Sequence, residues 1–95
     1  MATQTQRRWA RVLSAKDLGR FLADLRAERD LTQDELADRL GITRRYLYEI
    51  ETGKPTIYTD RLFNLLRVLE ANLVIDAHVP LDEPGAAASA GKGAR

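Results

Sequence analysis

The segment that most constrains the fold is LTQDELADRLGITRRYLYEIETGK, residues 31–54. Thr32 opens a T-x-x-E sequence, which has the spacing of a capping box at the start of a helix. Gly41 supplies a tight turn, because glycine adopts a left-handed backbone conformation without strain. Thr43 is placed to cap a second helix, and Gly53 lies where that helix should end. The segment therefore predicts two short helices joined by a tight turn.

The apolar and polar residues of this segment separate onto different sides of the two predicted helices. The apolar residues expected to be buried are Leu31, Leu36, Ala37, Leu40, Ile42, Leu47 and Ile50, and the residues left outward on the second helix are Arg44, Arg45, Tyr48 and Glu49. A helix of this kind can enter the major groove of DNA, where its first residues contact base edges. The pattern favours a recognition helix with an exposed reading face.

The sequence TQDELADRLGI, followed by TRRYLYEIETGK, resembles the phage-repressor-like (Xre) helix-turn-helix family. The family pattern is T-Q-x-x-L-A, a glycine turn, a cap, and I-E-x-G-K at the end. The resemblance covers about residues 14–70. It implies DNA binding by a mostly α, lambda-repressor-like bundle of four to five helices.

Four outward residues are predicted to contact bases. Arg44 and Arg45 each suit a bidentate bond to guanine, which is worth about 1–3 kcal/mol of discrimination. Tyr48 can meet a thymine methyl group or a phosphate, and Glu49 can accept a hydrogen bond from cytosine. For Arg44 and Arg45 the alternative is phosphate contact or a solvated position, and for Tyr48 and Glu49 it is a surface position without a DNA contact.

Five other residues are predicted to contact phosphate. The resemblance implies that the amide of Gln33 binds phosphate at the start of the first motif helix, aided by the helix N-terminus. Tyr46 is placed to reach a phosphate across the groove wall, with packing against the first motif helix as the alternative. Thr32, Thr43 and Lys54 complete the set, and capping is the alternative for both threonines.

A scaffold helix is predicted ahead of the motif, beginning at Ser14, with Asp17 completing the capping pattern. The apolar residues Leu18, Phe21, Leu22 and Leu25 repeat at the spacing of one buried helical stripe. The resemblance further implies an ion pair between Arg26 on this helix and Glu51 near the end of the recognition helix. A bidentate pair would tie the two helices together, and the alternative is a solvated arginine.

After Gly53, the sequence KPTIYTD is predicted to be a loop, and residues 60–69 a closing helix. The expected buried stripe of this helix is Leu62, Leu65, Leu66 and Leu69. The helix should end within residues 70–72, where Asn72 can take the left-handed conformation. The next residues, LVIDAHV at 73–79, alternate with a period of two, which predicts a strand. One face of the strand carries Leu73, Ile75, Ala77 and Val79. Because a lone strand leaves its backbone unsatisfied, it needs a partner. The partner is either the stretch around residues 9–13 or the same strand of a second subunit, and the two arrangements are compatible.

The chain divides into three predicted segments. Residues 1–13 form a basic N-terminal arm, residues 14–79 the helix-turn-helix domain with its dimerisation strand, and residues 80–95 a disordered Ala/Gly-rich tail. For residues 1–8, one interpretation is a frayed end and another is a basic arm that lies on phosphate or in a minor groove. Trp9 favours packing of the following residues on the body, or pairing with a later strand.

Composition excludes several classes of protein. The chain has no cysteine, so disulfides and thiolate metal sites are impossible. His78 is the only histidine, and no phosphate-cradling glycine loop is present, so no metal, cofactor or enzymatic activity is predicted. No segment approaches the roughly 18 apolar residues of a membrane span. We therefore expect a soluble cytoplasmic protein that is associated with the nucleoid and has no membrane partner.

The predicted function is transcriptional repression by a homodimer on a roughly palindromic operator, whose half-sites lie about 34 Å apart. The run RRYLYEIETGKPTIYTDRLFNLLRVLEANLVI, together with the strand, is similar to the HipB-like antitoxins that partner HipA-type kinases. That similarity implies strand pairing across the dimer, autoregulation and docking of a kinase toxin. The alternatives are a free-standing repressor without a toxin, and an interaction module that has lost operator binding.

Overall fold

A computed structural model describes residues 4–80, and these residues form four α-helices and two β-strands. In chain order, the elements are β1 (Thr5–Val12), α1 (Ala15–Glu28), α2 (Gln33–Leu40), α3 (Arg44–Thr52), α4 (Ile57–Val68) and β2 (Leu73–Pro80). A mostly helical domain with a C-terminal strand is confirmed. The predicted disordered tail, residues 80–95, lies outside the described residues from residue 81 onward.

The caps of the first three helices set where these helices begin and end. Ser14, Thr32 and Thr43 each accept a hydrogen bond from the backbone N–H three residues later, at 3.0–3.1 Å. Gly41 and Gly53 follow α2 and α3 with φ angles of 69° and 72°, in the left-handed region that glycine tolerates. The two motif helices and their tight turn are therefore as the sequence predicts.

The fourth helix begins earlier than the sequence analysis expected. Thr56 and Thr59 cap it reciprocally, each side chain bonding the backbone N–H of the other residue at 3.0 Å. The capping residues thus lie within the segment that was predicted to be a loop, and α4 starts at Ile57 instead of residue 60. At its other end Glu70, with a φ of 54°, takes the left-handed conformation that was expected at Asn72.

The N-terminal residues form a strand. Strand β1 pairs antiparallel with β2, in a register that runs from Thr5 opposite Pro80 to Val12 opposite Leu73. The frayed end proposed for residues 1–8 is therefore wrong from residue 5 onward, because β2 needs a partner for its backbone and β1 supplies it. Pairing within the chain is the arrangement that the structure contains.

Helix α1 lies between the sheet and α3. Gly19 faces α3 so closely that a Cβ atom on it would lie 2.3 Å from the carbonyl oxygen of Ile50. Glu28 lies nine positions later, which places it on the opposite side of α1 at about 100° per residue. There its carboxylate accepts from Arg8 of β1 at 2.8 Å. The sheet and α3 thus pack on opposite sides of α1.

The buried apolar residues are few and are spread across the elements. Among residues 4–80, the most deeply buried are Val12, Ala37, Leu47, Phe63 and Val79. The predicted stripe of α1 is partly buried, whereas Leu40 and Ile50 of the motif, which were expected to be buried, are exposed. On α4 the expectation fails for Leu65 and Leu69, which are exposed, because this helix packs through Phe63 and its neighbours on another side. None of the described helices is both long and apolar enough to cross a bilayer.

We expect Gly19→Ala to lower the free energy of unfolding by about 1–3 kcal/mol, because the added methyl group meets backbone atoms that cannot move aside without displacing α3. Urea unfolding followed by circular dichroism measures the change. Arg20→Ala, at the adjacent exposed position, is the control and should change stability by less than about 0.5 kcal/mol. Equal stability of the two variants would contradict the close packing of α1 on α3.

Candidate nucleic-acid interface

The second motif helix, α3, presents one side to the protein and the other to solvent. Leu47 and Glu51 are buried on its inner side. On its outer side, the side chains of Arg44 and Arg45 are 66% and 86% exposed, and Tyr48 is also exposed. The first turn of α3 therefore offers two guanidinium groups that no packing contact restrains.

A cleft of about 430 Å³ lies along this outer side of α3. Its lining residues are Gln33, Arg44, Arg45, Tyr48 and Glu49. The structure thus brings together the four residues predicted to contact bases and the glutamine predicted to contact phosphate. Hydrogen-bond donors surround a concave surface at the front of an exposed helix, which is the arrangement needed for reading base edges.

The other residues predicted to contact phosphate lie around the cleft. The hydroxyl groups of Thr32 and Thr43 serve as helix caps. Tyr46 is exposed, so the structure does not bury it against α2. Lys54, just beyond the end of α3, places its ammonium group 3.3 Å from the carboxylate of Glu49. Contact of any of these side chains with DNA stays a prediction.

Charges around the cleft are held in weak ion pairs. Glu49 pairs with Arg45 at 3.4 Å and with Lys54 at 3.3 Å, and Arg44 lies 3.8 Å from Asp34 of α2. Ion pairs between exposed side chains are worth about 0–1 kcal/mol, so the arginines are released from them at little cost. The nearby carboxylates also offset part of the positive charge. The surface therefore suits selective contacts better than strong general attraction to phosphate.

A buried network lies directly beneath the cleft. Glu51, whose side chain is 5% exposed, accepts two bonds from the guanidinium of Arg26, from Nε at 2.7 Å and from Nη2 at 3.1 Å. The third bond of Arg26, from Nη1, goes to the carbonyl oxygen of Leu31 at 2.7 Å. Glu51 also accepts from Gln33 Nε2 at 2.9 Å. One carboxylate thus joins α1, the start of α2 and α3.

The network also orients Gln33. Its side-chain amide has two N–H donors, and Glu51 accepts from one of them. The amide is therefore held at the edge of the cleft, and the bond to Glu51 uses only one of its two N–H donors. The backbone N–H groups at the start of α2, where Gln33 is the first residue, add a further site that favours anions.

Comparison with known proteins agrees with this geometry. Residues 17–74 match the model of a helix-turn-helix domain family, and this range contains all of α2, α3 and α4. The chain belongs to this helix-turn-helix family. The matched range also includes Gly19 and the network of Arg26, Gln33 and Glu51.

Relatives of this helix-turn-helix protein come from bacteria and from phages. The HTH-type transcriptional regulator y4mF of Sinorhizobium fredii is 32% identical over 65 residues, which cover 68% of this chain and 86% of that protein. The ImmF control region 10 kDa protein of Bacillus phage phi105 is 34% identical over 76 residues, or 78% of this chain and 84% of the phage protein. The cryptic phage CTXphi transcriptional repressor RstR of Vibrio cholerae is 40% identical over 65 residues, or 65% and 59% of the two chains. No solved structure matches the chain significantly.

Sequence reasoning missed two features of this helix-turn-helix domain. One is Gly19, which allows α1 and α3 to approach closely, and an isolated glycine inside a helical pattern was the available signal. The other is the hydrogen bond from Gln33 to Glu51. No spacing in the sequence predicts this bond, because it joins two different helices. Elsewhere, His78 uses its backbone oxygen to accept from Arg29 at 2.7 Å. Within residues 4–80, no cluster of His, Asp and Glu could hold a metal ion.

We expect Arg26→Met to lower the free energy of unfolding by about 3–5 kcal/mol, because it leaves the buried Glu51 carboxylate without its main partner. The double variant Arg26→Met/Glu51→Leu should recover much of this loss, since it removes both buried charges. Chemical denaturation of the single and double variants measures both effects.

The exposed ion pair between Arg8 and Glu28 supplies the control. Arg8→Met should cost no more than about 1 kcal/mol. If Arg26→Met and Arg8→Met were equally mild, the buried network would not hold the motif helices together.

Proposed function

We propose that this protein is a sequence-specific transcriptional repressor that inserts α3 into the major groove of operator DNA. The observation that carries this proposal is the cleft on the outer side of α3, where Gln33 and four outward residues of the recognition helix converge. The helix-turn-helix family, together with one relative named as a transcriptional regulator and one named as a transcriptional repressor, supports it.

Each side chain has a distinct role in the proposed complex. Arg44 and Arg45 form bidentate bonds with guanine, and Tyr48 contacts a thymine methyl group or a phosphate. Glu49 either accepts from cytosine or continues to hold Arg45 and Lys54 in position. Phosphate contacts from Thr32, Gln33, Thr43, Tyr46 and Lys54 fix the register of the protein on the duplex.

The proposed repressor acts as a homodimer on a palindromic operator. The side chains of Leu73, Ile75, Ala77 and Val79 are partly or fully buried, so they are on the inner face of the sheet. A second subunit would therefore meet the backbone edge of β2 that β1 leaves open within the described residues. Antiparallel pairing of the two β2 strands would give a four-stranded sheet across the dimer.

A narrower proposal concerns the biological role. The resemblance to HipB-like antitoxins supports an antitoxin that represses its own operator, binds a HipA-like kinase and acts on the nucleoid in the cytoplasm. The alternative is a repressor that works alone. A kinase gene beside the gene for this protein, whose product co-purifies with it and tightens its operator binding, would support the antitoxin role. If no kinase gene lies beside the gene for this protein, the free-standing repressor is favoured.

DNA reading is tested by fluorescence anisotropy on the protein's own upstream promoter and on a scrambled duplex, at about 50 and 200 mM salt. We expect Arg44→Ala/Arg45→Ala to weaken promoter binding by roughly tenfold or more, because each guanine contact is worth about 1–3 kcal/mol. The matched control, Arg11→Ala/Arg20→Ala, removes the same charge from two exposed positions that do not line the cleft. It should retain the preference for the promoter.

Two results would count against this function. Equal weak binding of the wild type to both duplexes, lost together as salt rises, would show phosphate attraction alone. Equal effects of the two double variants would mean that charge, and not the cleft, determines binding. Either result would favour the interaction module without operator binding.

The pairing of β2 strands is tested by introducing single cysteines, because the chain has no cysteine of its own. In an antiparallel pair of β2 strands centred near residue 76, Asp76 lies close to its counterpart. We therefore expect Asp76→Cys to form a disulfide-linked dimer under mild oxidation, as seen on a non-reducing gel. Lys16→Cys, at an exposed position on α1, is the control and should stay monomeric on the same gel. Equal cross-linking at both positions would contradict β2 pairing.

A further inference from the structure

Strand β1 has a second backbone edge, which points away from β2. The sheet has two strands within residues 4–80, so no described strand pairs with this edge. In an antiparallel pair, the backbone groups of alternate residues point to opposite sides, which leaves about half of the residues of β1 with outward N–H and C=O groups. Such an edge is a template on which a further strand can form.

The edge of β1 lacks most of the features that prevent pairing with another strand. Those features are short length, proline, a bulge and charge. β1 spans eight residues, contains no proline and pairs with β2 in an uninterrupted register. Its charges all have one sign, because they come from Arg7, Arg8 and Arg11. Three arginines repel a basic strand, but they attract an acidic one.

The two faces of β1 differ in what they offer to a neighbouring strand. On the outer face the exposed side chains of Arg7, Trp9 and Arg11 alternate along the strand, and Trp9 is 59% exposed. The other face carries Ala10 and the buried Val12. Neighbouring strands share their two faces. An added strand would therefore place acidic side chains beside the arginines of the outer face and apolar side chains beside Ala10 and Val12.

The ion pairs of β1 leave donors for a further carboxylate. Arg7 bonds Asp76 at 2.9 Å and Arg8 bonds Glu28 at 2.8 Å, each through Nε. A guanidinium group has five N–H donors, so these two bonds use one donor of each side chain. Arg11 is in none of the ion pairs among residues 4–80.

We propose that the free edge of β1 is a docking edge for an extended segment of a partner protein, in which acidic and apolar residues alternate. The segment adds to the sheet as a third strand. Main-chain hydrogen bonds supply affinity in this mode of recognition, and alternate side chains supply specificity. Tryptophan and arginine, which alternate on the outer face, are the residue types that carry much of the binding energy at protein interfaces.

Other occupants fit the docking edge less well. A second β1, paired symmetrically about its tryptophan, would place Arg7 opposite the copy's Arg11, and like charges in that position repel. In residues 81–95 the acids Asp82 and Glu83 are adjacent, and proline and small residues follow, so the alternation is absent. A nucleic acid could contact the arginines, but it has no peptide groups with which to extend a sheet.

The docking edge is separate from the surfaces used in the proposed function. The sheet and α3 pack on opposite sides of α1, so the cleft is not adjacent to β1. The proposed dimer uses the free edge of β2, at the other side of the sheet. The inference therefore goes beyond operator reading and does not rest on it.

The test uses the full chain, in which Trp9 is the only tryptophan and reports directly on the outer face of β1. The probe is a synthetic eight-residue peptide, equal in length to β1, in which glutamate and valine alternate. The comparison peptide has lysine in place of glutamate. We expect the glutamate peptide to change the fluorescence of Trp9 saturably, and the lysine peptide to bind at least about tenfold more weakly.

Hydrogen exchange shows whether the peptide adds as a strand. We expect the glutamate peptide to slow exchange at alternate amide groups of β1, which are the groups that point away from β2. Binding that leaves exchange in β1 unchanged, or that protects β2 instead, would overturn the proposal.

Charge reversal at one position tests the complementarity. Arg11→Glu should weaken binding of the glutamate peptide by about fivefold or more and strengthen binding of the lysine peptide, because it reverses one charge beside the added strand. The gain for the lysine peptide separates lost complementarity from lost folding, since a misfolded chain would not acquire the opposite preference. Arg39→Glu, at an exposed position of α2, is the matched control and should bind as the wild type does.

Further results would also overturn the docking edge. These are no saturable signal with the glutamate peptide, equal binding of the two peptides, no effect of Arg11→Glu, or a Trp9 signal that responds to oligothymidylate and not to the peptide. The last result would assign the outer face to single-stranded nucleic acid.

Operator reading is judged separately from the docking edge. Arg44→Ala/Arg45→Ala should bind the glutamate peptide as the wild type does, because neither arginine lies on the sheet. A protein that binds the peptide but does not prefer its promoter would keep this inference and reject the proposed function. Promoter preference without peptide binding would do the opposite.

Discussion

The carboxylate of Glu51 is the point on which the arrangement of the motif depends. It is almost fully buried, and burial of an ionised group is costly unless hydrogen bonds and an opposite charge compensate. Arg26 and Gln33 provide that compensation from two other helices. Because Glu51 and the residues proposed to read bases share α3, the same contacts that satisfy the carboxylate also fix the orientation of the outer side of this helix. The stability of the motif and the placement of the proposed DNA contacts thus rely on one set of bonds.

Gly19 makes this geometry possible. The backbone of α3 lies so near α1 that no side chain fits between them, and the close approach brings Arg26 within bonding distance of Glu51. A larger residue at position 19 would push α3 away from α1. The side chain of Arg26 would then no longer reach the carboxylate of Glu51. The network and the glycine therefore act as one structural unit, although only the arginine and the glutamate carry charge.

Local signals predicted much of this fold. The caps at Thr32 and Thr43 and the glycine ends of α2 and α3 involve neighbours in sequence, so spacing alone placed them. Contacts between distant elements were harder to predict. The bond between Gln33 and Glu51 depends on how two helices meet, and the exposure of Leu65 depends on which side of α4 faces the body. An apolar stripe shows that a surface is to be buried, but it does not show whether the partner is the same chain or another one.

The sheet joins the first and last described elements, because Thr5 lies opposite Pro80. Contacts between residues this far apart form slowly. The chain between them must close into a loop, at a cost in entropy, before the paired strands gain any stabilisation. Helices α1, α2 and α3 have near neighbours as partners and can assemble sooner. Of the described elements, β1 is made before the others, and it cannot pair within its own chain until β2, at the other end of the domain, has been made.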